Sequence, residues 1–506
     1  MNVVVDGRTL TWRDAIAVAR GGARVTLDAD ARVRMTASRK IVEDHVAAGD
    51  VVYGVTTGFG KFATVPIAAA DRRELQVNLI RSHAAGVGDP FDEDVVRAML
   101  LLRANALSVG ASGVRPVVAE RLIDLLNAGV HPAIPAVGSL GASGDLAPLA
   151  HLALVLIGEG EATFKGAKLA GGEALKRAGL APLTLEAKEG LGLLNGTQAM
   201  AALACLATED AHALLKYADI AGALSIDATL SSRTPCDPGI HALRPYPGAQ
   251  ASASNVLRLL DGSKIVESHA HCARVQDPYS LRCLPQVHGA ARDALAHVEA
   301  MLAIELNAAT DNPLVLDDGR VVSGGNFHGQ PIAIRMDYLA LALHELGAIS
   351  ERRVDWIMNP NLTDLHAFLA PLEGLHSGYM IAQYTAAAVV NESATLCGPS
   401  SAHSIPVSGN QEDHVSMGLT AARRARMVLA NTRIVLAIEL LCAAQAVSLR
   451  KLETGLGLRP VLARLRRDVA PLERDRVVAK DIEAARALVE NGELLREAEA
   501  AIGPLA

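Results

Sequence analysis

Apolar residues recur at helical spacing over residues 95–106, 117–128, 146–157, 198–217 and 291–306, and again over 336–357, 379–396, 415–449 and 482–495. Several of these stretches are apolar nearly all round, as in ALALHELGAI and TRIVLAIELLCAAQAV. Helices of that kind need covering on most sides, within a bundle or between subunits. If helical throughout, residues 412–449 make a rod of roughly 55 Å at about 1.5 Å per residue. Upstream, the pattern is broken. A short strand at residues 3–5 meets an Asp6-Gly7 turn, and Thr11-Trp12-Arg13-Asp14 reads as a helix start. Asp28 is suited to cap a following helix that Gly49 ends. YGVTTGFG, residues 53–60, is too rich in glycine and threonine for a stable helix and is expected to be a loop. With no short-period repeat and no low-complexity linker, the chain reads as one continuous helical unit over 1–506.

Half of the residues are hydrophobic and only 3% aromatic, so the core must be built from Ala, Leu and Val. The formal net charge of −7, without a clustered basic tract, argues against nucleic acid or an anionic membrane as partner. The apolar stretches 146–157 and 434–447 are too short to span a bilayer. The opening MNVVVDGRTLTW lacks a basic segment followed by a long apolar one, so a soluble, cytoplasmic protein is expected. Cys205, Cys236, Cys272, Cys283, Cys397 and Cys442 are scattered, with no Cys-x-x-Cys pair. They read as reduced thiols without a role.

The first candidate for chemistry is Gly138-Ser139-Leu140-Gly141-Ala142-Ser143-Gly144-Asp145, directly before an apolar helix. One reading is a glycine-rich turn in which Ser143 or Asp145 caps that helix. The other is covalent. If the backbone bends tightly, the unhindered Gly144 nitrogen can attack the Ala142 carbonyl. Loss of two waters, one carrying the Ser143 hydroxyl, leaves a five-membered ring with an exocyclic methylidene. Small flanking residues suit that bend.

GSLGASGDLAPLAH resembles the signature of the aromatic amino acid and histidine ammonia-lyase family, whose cofactor is 4-methylidene-imidazol-5-one. The resemblance continues in YGVTTGFG, NLIRSHAAGVG (78–88), LLNGTQAM (193–200), QDPYSLRCLPQVHGA (276–290), SGGNFHGQP (323–331) and SGNQEDHVSMG (408–418), in family order. It implies a mainly α fold, a long-helix bundle of the aspartase and ammonia-lyase type with a small N-terminal α/β portion. Residues 1–195 would form the cofactor-bearing part and 196–506 the long-helix bundle and C-terminal part. It also implies a cofactor made from Ala142, Ser143 and Gly144, with no dissociable cofactor, and a homotetramer whose sites are shared between subunits.

Carried over residue by residue, the resemblance makes Tyr53 an acid/base group on a mobile lid, which fits the neighbouring glycines. A tyrosinate serves as base if its pKa, ordinarily near ~10, is lowered. Asn195 would hydrogen-bond the ring and draw electron density onto its oxygen. Gln276, Tyr279 and Phe327 match positions around the ring or the substrate's amino end, although packing explains Phe327 equally well. Arg282 would clamp the substrate carboxylate with a flat, two-pronged donor that lysine cannot offer.

Two places bear on the substrate. Ser82-His83 occupies the pair that resembling phenylalanine enzymes fill with Phe-Leu and tyrosine enzymes with His-Leu. Glu412 stands where phenylalanine enzymes carry an amide, and a carboxylate there can accept from an imidazole N–H or act as the base. Gly329-Gln330 after the GNFH block is nearer the tyrosine and phenylalanine enzymes, and His288 stands where many relatives have methionine. The expected reaction is elimination of ammonia from L-histidine to give trans-urocanate. The alternatives are a tyrosine or phenylalanine ammonia-lyase, a 2,3-aminomutase, and a helical oligomeric scaffold with an inactive site. Glu412-Asp413-His414 lacks a recognised ligand spacing, so no metal is expected.

Overall fold

The computed structural model describes residues 1–58, 60, 64–271 and 274–506; Phe59 of the predicted loop and Cys272 lie outside the described residues. Helices dominate, as the apolar periodicity requires, and the sheets are small. The expected mainly α class holds.

The chain divides into two compact units. Unit 1 comprises Met1–Glu209, Val298–Asp337 and Pro399–Arg423. It opens with the predicted α/β portion: strands Asn2–Val5 and Arg24–Leu27 pair in parallel, and helix Trp12–Ala19 connects them. Thr11 and Asp14 form a reciprocal capping box, with Asp14 N donating to Thr11 Oγ1 at 3.1 Å and Thr11 N to Asp14 Oδ2 at 3.0 Å. Asp28 caps helix Ala29–Ala48 through Ala31 N, and Gly49, in the left-handed region, ends it. Helices Glu93–Ser108 and Pro116–Ala128 bury Leu100, Leu101, Leu122 and Leu125 completely.

Unit 2 comprises Asp210–His297, Tyr338–Gly398 and Arg424–Ala506. Its parts of the long helices Gln198–Ala228, Leu284–Glu305, Gln330–Met358 and Gly418–Arg450 share a buried polar network. Glu439 accepts from Ser225 Oγ and Ser350 Oγ, each at 2.6 Å, and pairs with Arg353. His288 Nδ1 meets Asp219 Oδ1 at 2.8 Å, and Arg292 reaches the other oxygen of the same carboxylate at 2.6 Å. Burial alone would raise the Asp219 pKa, but Arg292 and His288 outweigh it and hold the carboxyl at about 2. Removing one partner from such a network leaves a buried charge uncompensated, which is strongly destabilising.

Helix Gly418–Arg450 is long and apolar enough to cross a membrane by length and composition, yet 72% of its apolar window is buried within the protein. Core packing accounts for its sequence. The expected rod from residue 412 starts only at Gly418. Residues 412–417 stay outside the helix because Glu412 pairs with Val407 across a turn and Met417 has φ 54°. The stretch 482–495 is likewise two helices, Val478–Glu490 and Glu493–Ile502, divided where Gly492 takes φ 76°. In the other direction, the helix predicted over 198–217 runs on to Ala228.

Candidate active site

The turn before helix Leu146–Leu156 is clamped from several sides. Met417 N donates to Leu140 O at 2.8 Å, and Gly329 N and Ser416 Oγ both donate to Gly141 O at 3.0 Å. Gly144 pairs in parallel with Gly196, and Asp145 N donates to Gly196 O at 2.7 Å. Gly144 has φ +73°, and a Cβ there would stand 2.2 Å from Gly196 O, so no side chain is tolerated. Ala142 and Gly144 are buried, whereas Ser143 is only half-buried. The turn thus offers Ser143 alone to a cavity of about 610 Å³.

Capping is not what this turn does. Asp145 precedes the helix but makes no side-chain cap. Its carboxylate instead accepts from Ala199 N and Met200 N, each at 2.9 Å, and from Ser139 Oγ at 2.7 Å. It therefore serves the start of helix Gln198–Ala228. Complete burial raises its pKa to about 6, although these donors favour the ionised form.

Unit 1 supplies the cavity wall. Asn195 ends the short helix Glu189–Leu194 in an extended conformation, and its Nδ2 donates to Ser143 O at 2.8 Å. Beneath it, fully buried Arg103 donates to Gln198 Oε1 at 2.9 Å and also to Gly192 O. Opposite, Glu412 Oε1 accepts from Ser143 Oγ at 3.1 Å. Its backbone is fixed by the pairing of Val407 N with Glu412 O at 2.9 Å, across a turn in which Ser408, Gly409 and Asn410 all have positive φ.

His83 ends helix Arg72–His83 beside Ser82. Burial pushes its imidazole below the ordinary range, against the opposing pull of Leu79 O and Glu412. A carbonyl can only accept, so the 2.8 Å contact between His83 Nδ1 and Leu79 O puts the proton on Nδ1. In the neutral ring Nε2 is then an acceptor. Tyr53, half-buried in the predicted loop, accepts from Gly60 N through its hydroxyl at 3.2 Å, and Phe327 completes the predicted set.

The predicted residues thus fall into two groups. Tyr53, Ser82, His83, Ser143, Asn195, Phe327 and Glu412 line one cavity in unit 1, with Ala142 and Gly144 buried behind Ser143. Gln276, Tyr279 and Arg282 belong to unit 2 and line a different cavity of about 980 Å³. There Arg282 stacks 4.7 Å from the ring centroid of Tyr279, which is 71% exposed. Sequence reasoning missed Asn78, Asn312 and Ser408, which also line the first cavity. For Asn78 a signal existed, because Leu75, Asn78, Leu79 and Ser82 share one helical face. Among the described residues no group of three His, Cys, Asp or Glu side chains is arranged to hold a metal ion.

This helical chain, with an Ala-Ser-Gly turn bent against an asparagine amide, belongs to the aromatic amino acid lyase family, whose family model matches residues 10–467. It is a carbon–nitrogen lyase. It is 55% identical to a histidine ammonia-lyase from Symbiobacterium thermophilum, with 100% of both chains covered. Among solved structures it is similar to a histidine ammonia-lyase from Trypanosoma cruzi, at 42% identity and a TM-score of 0.91, covering 99% of this chain and 96% of that one. It is also similar to a tyrosine aminomutase from Streptomyces globisporus, at 40% identity and a TM-score of 0.95 with both chains fully covered.

Proposed function

We propose that this protein eliminates ammonia from L-histidine, giving trans-urocanate. The observation that carries this reading is the single cavity in which Ser143, Asn195, His83 and Glu412 meet. The full-length similarity to a histidine ammonia-lyase supports it.

The residues of the turn fit 4-methylidene-imidazol-5-one. Gly144 is already bent, Ala142 adds only a methyl group, and Asn195 donates to the carbonyl that becomes the ring oxygen. That group supplies an electrophilic carbon that no unmodified side chain offers. Asn195 draws charge onto the ring oxygen. His83 Nε2 and the Glu412 carboxylate are two acceptors for the two N–H groups of an imidazolium ring, whereas a phenyl ring leaves both without a partner. Tyr53 Oη takes the β-hydrogen as a proton, the carbon–nitrogen bond breaks with its electron pair on nitrogen, and ammonia leaves. Gln276, Tyr279 and Arg282 complete the site from another copy in a homotetramer, with Arg282 gripping the substrate carboxylate. Supporting association, helix Gln330–Met358 exposes Ile334, Tyr338 and Leu341 along one face, at 51%, 46% and 47%.

Incubation of pure protein with L-histidine, L-tyrosine and L-phenylalanine, followed by ultraviolet absorbance, tests the reading. Urocanate should form from histidine far faster than a cinnamate forms from the other two. Strong turnover of tyrosine with none of histidine overturns the substrate assignment. An intact mass not reduced by two waters removes the cofactor.

A further inference from the structure

We propose that Glu412 has an earlier task than substrate turnover: its carboxylate carries the proton that lets the Ser143 hydroxyl depart as water while the cofactor forms. The inference rests on the reading that Ala142-Ser143-Gly144 becomes the ring, and it assigns the side chain that completes it.

Ser143 Oγ donates to Glu412 Oε1 at 3.1 Å. Among the described residues no other side chain bonds this hydroxyl. Glu412 is steered onto it by backbone pairing with Val407 rather than by a flexible tail. Asp145, adjacent in sequence, is unavailable because both of its oxygens are taken, one by Ser139 Oγ and the other by Ala199 N and Met200 N. Asn195, which bonds Ser143 O at 2.8 Å, polarises the carbonyl next to the Ser143 Cα.

The chemistry needs such a group. Ring closure joins Gly144 N to the Ala142 carbonyl carbon, and the first water takes away the former Ala142 carbonyl oxygen. The second water comes from Ser143 and requires both its Cα hydrogen and its hydroxyl. Hydroxide is a poor leaving group unless it receives a proton. With a carbonyl on one side and the new carbon–nitrogen double bond on the other, the Cα–H is acidified. The Glu412 carboxylate takes this proton, and the C–H electron pair becomes the Cα–Cβ double bond. The Cβ–O bond breaks with its pair on oxygen. Glu412 then returns the proton to Oγ along the line that holds them, water leaves, and the carboxylate is restored. No oxidant or added reagent enters the balance.

Intact mass of purified chains tests this without recourse to turnover. The wild-type chain should be lighter than its sequence by two waters. Glu412→Gln, which keeps the shape but cannot carry the proton, should stop after one, with the second loss slowed by roughly 10²-fold or more. Tyr53→Phe, which retains Glu412, should lose both. To separate chemistry from misfolding, the variant's far-ultraviolet dichroism is compared with wild type. Formate added to Glu412→Ala should restore the second loss by entering the vacated space. A folded Glu412→Gln or Glu412→Ala chain that loses both waters unaided at the wild-type rate overturns the proposal. A wild-type chain that loses none overturns instead the cofactor reading on which it rests.

Discussion

The side-chain amide of Asn195 donates to the carbonyl oxygen of Ser143 at 2.8 Å, and the backbone pairing of Gly144 with Gly196 holds the two residues on that line. The donor is therefore aimed before any substrate binds, which is the condition under which a hydrogen bond stabilises developing charge without reorganisation. Asn195→Ala should reduce kcat by roughly 10²–10³-fold with a much smaller change in KM. Steady-state kinetics on the purified variant check this, with intact mass reporting whether the ring still forms. A fully matured variant with kcat near wild type would mean that the amide has no part in turnover.

His83 Nδ1 is committed to Leu79 O, so only Nε2 is available to a ligand, and as an acceptor. His83→Leu removes that acceptor and leaves an imidazole N–H of histidine facing an apolar wall. An unsatisfied buried donor costs about 1–3 kcal/mol, so kcat/KM for L-histidine should fall by roughly 10–10²-fold. A substrate with no N–H on its ring should be affected less. Paired assays on histidine and phenylalanine measure the difference, and an equal loss on both would assign His83 a purely structural role.

Burial raises the Asp145 carboxyl to about 6 from an ordinary 3.8. Between those two values the folded chain binds the proton more tightly than the unfolded chain does. Stability from this group is accordingly fully present below about 3.8 and lost as pH rises through about 6. The window corresponds to about 3 kcal/mol at 1.36 kcal/mol per pKa unit. Asp145→Asn has no such titration. Wild type should gain stability relative to the variant as pH falls from about 6 towards 4. Denaturation midpoints of the two proteins across that range supply the check, and parallel curves would place the Asp145 pKa back in the ordinary carboxylate range.

Much of the local structure was legible. Thr11 with Asp14, Asp28, Gly49 and most of the long apolar stretches acted as their residue types predict, because caps, αL glycines and 3.6-residue periodicity are properties of a few neighbouring residues. Where reading failed, a backbone pair or bend that the apolar pattern does not mark, or a partner far along the chain, had intervened. Residues 412–417 looked like the beginning of a helix, but Val407 draws Glu412 into a backbone pair and the helix waits for Gly418. Asp145 looked like a cap for the helix that follows it, yet Ala199 N and Met200 N claim its carboxylate from 54 and 55 positions away. No local window of sequence contains both halves of the Asp145 contact.

The same division runs through the site. Sequence alone determined the turn Ala142-Ser143-Gly144, the kind of chemistry it can support and the residue types that chemistry needs, since these follow from covalent structure and from motif blocks legible one at a time. Tertiary structure decided which of those residues meet. It brought Ser143 to Asn195 and to Glu412, 269 positions away in the chain, and set Tyr53 and His83 on the same cavity. It also grouped Gln276, Tyr279 and Arg282 around a different one. The physical reason is that a hydrogen bond near 3 Å is a statement about positions in space. Those positions are fixed by the packing of the whole chain, including buried groups such as Arg103 under the Asn195 loop, which no local pattern marks as belonging to the site.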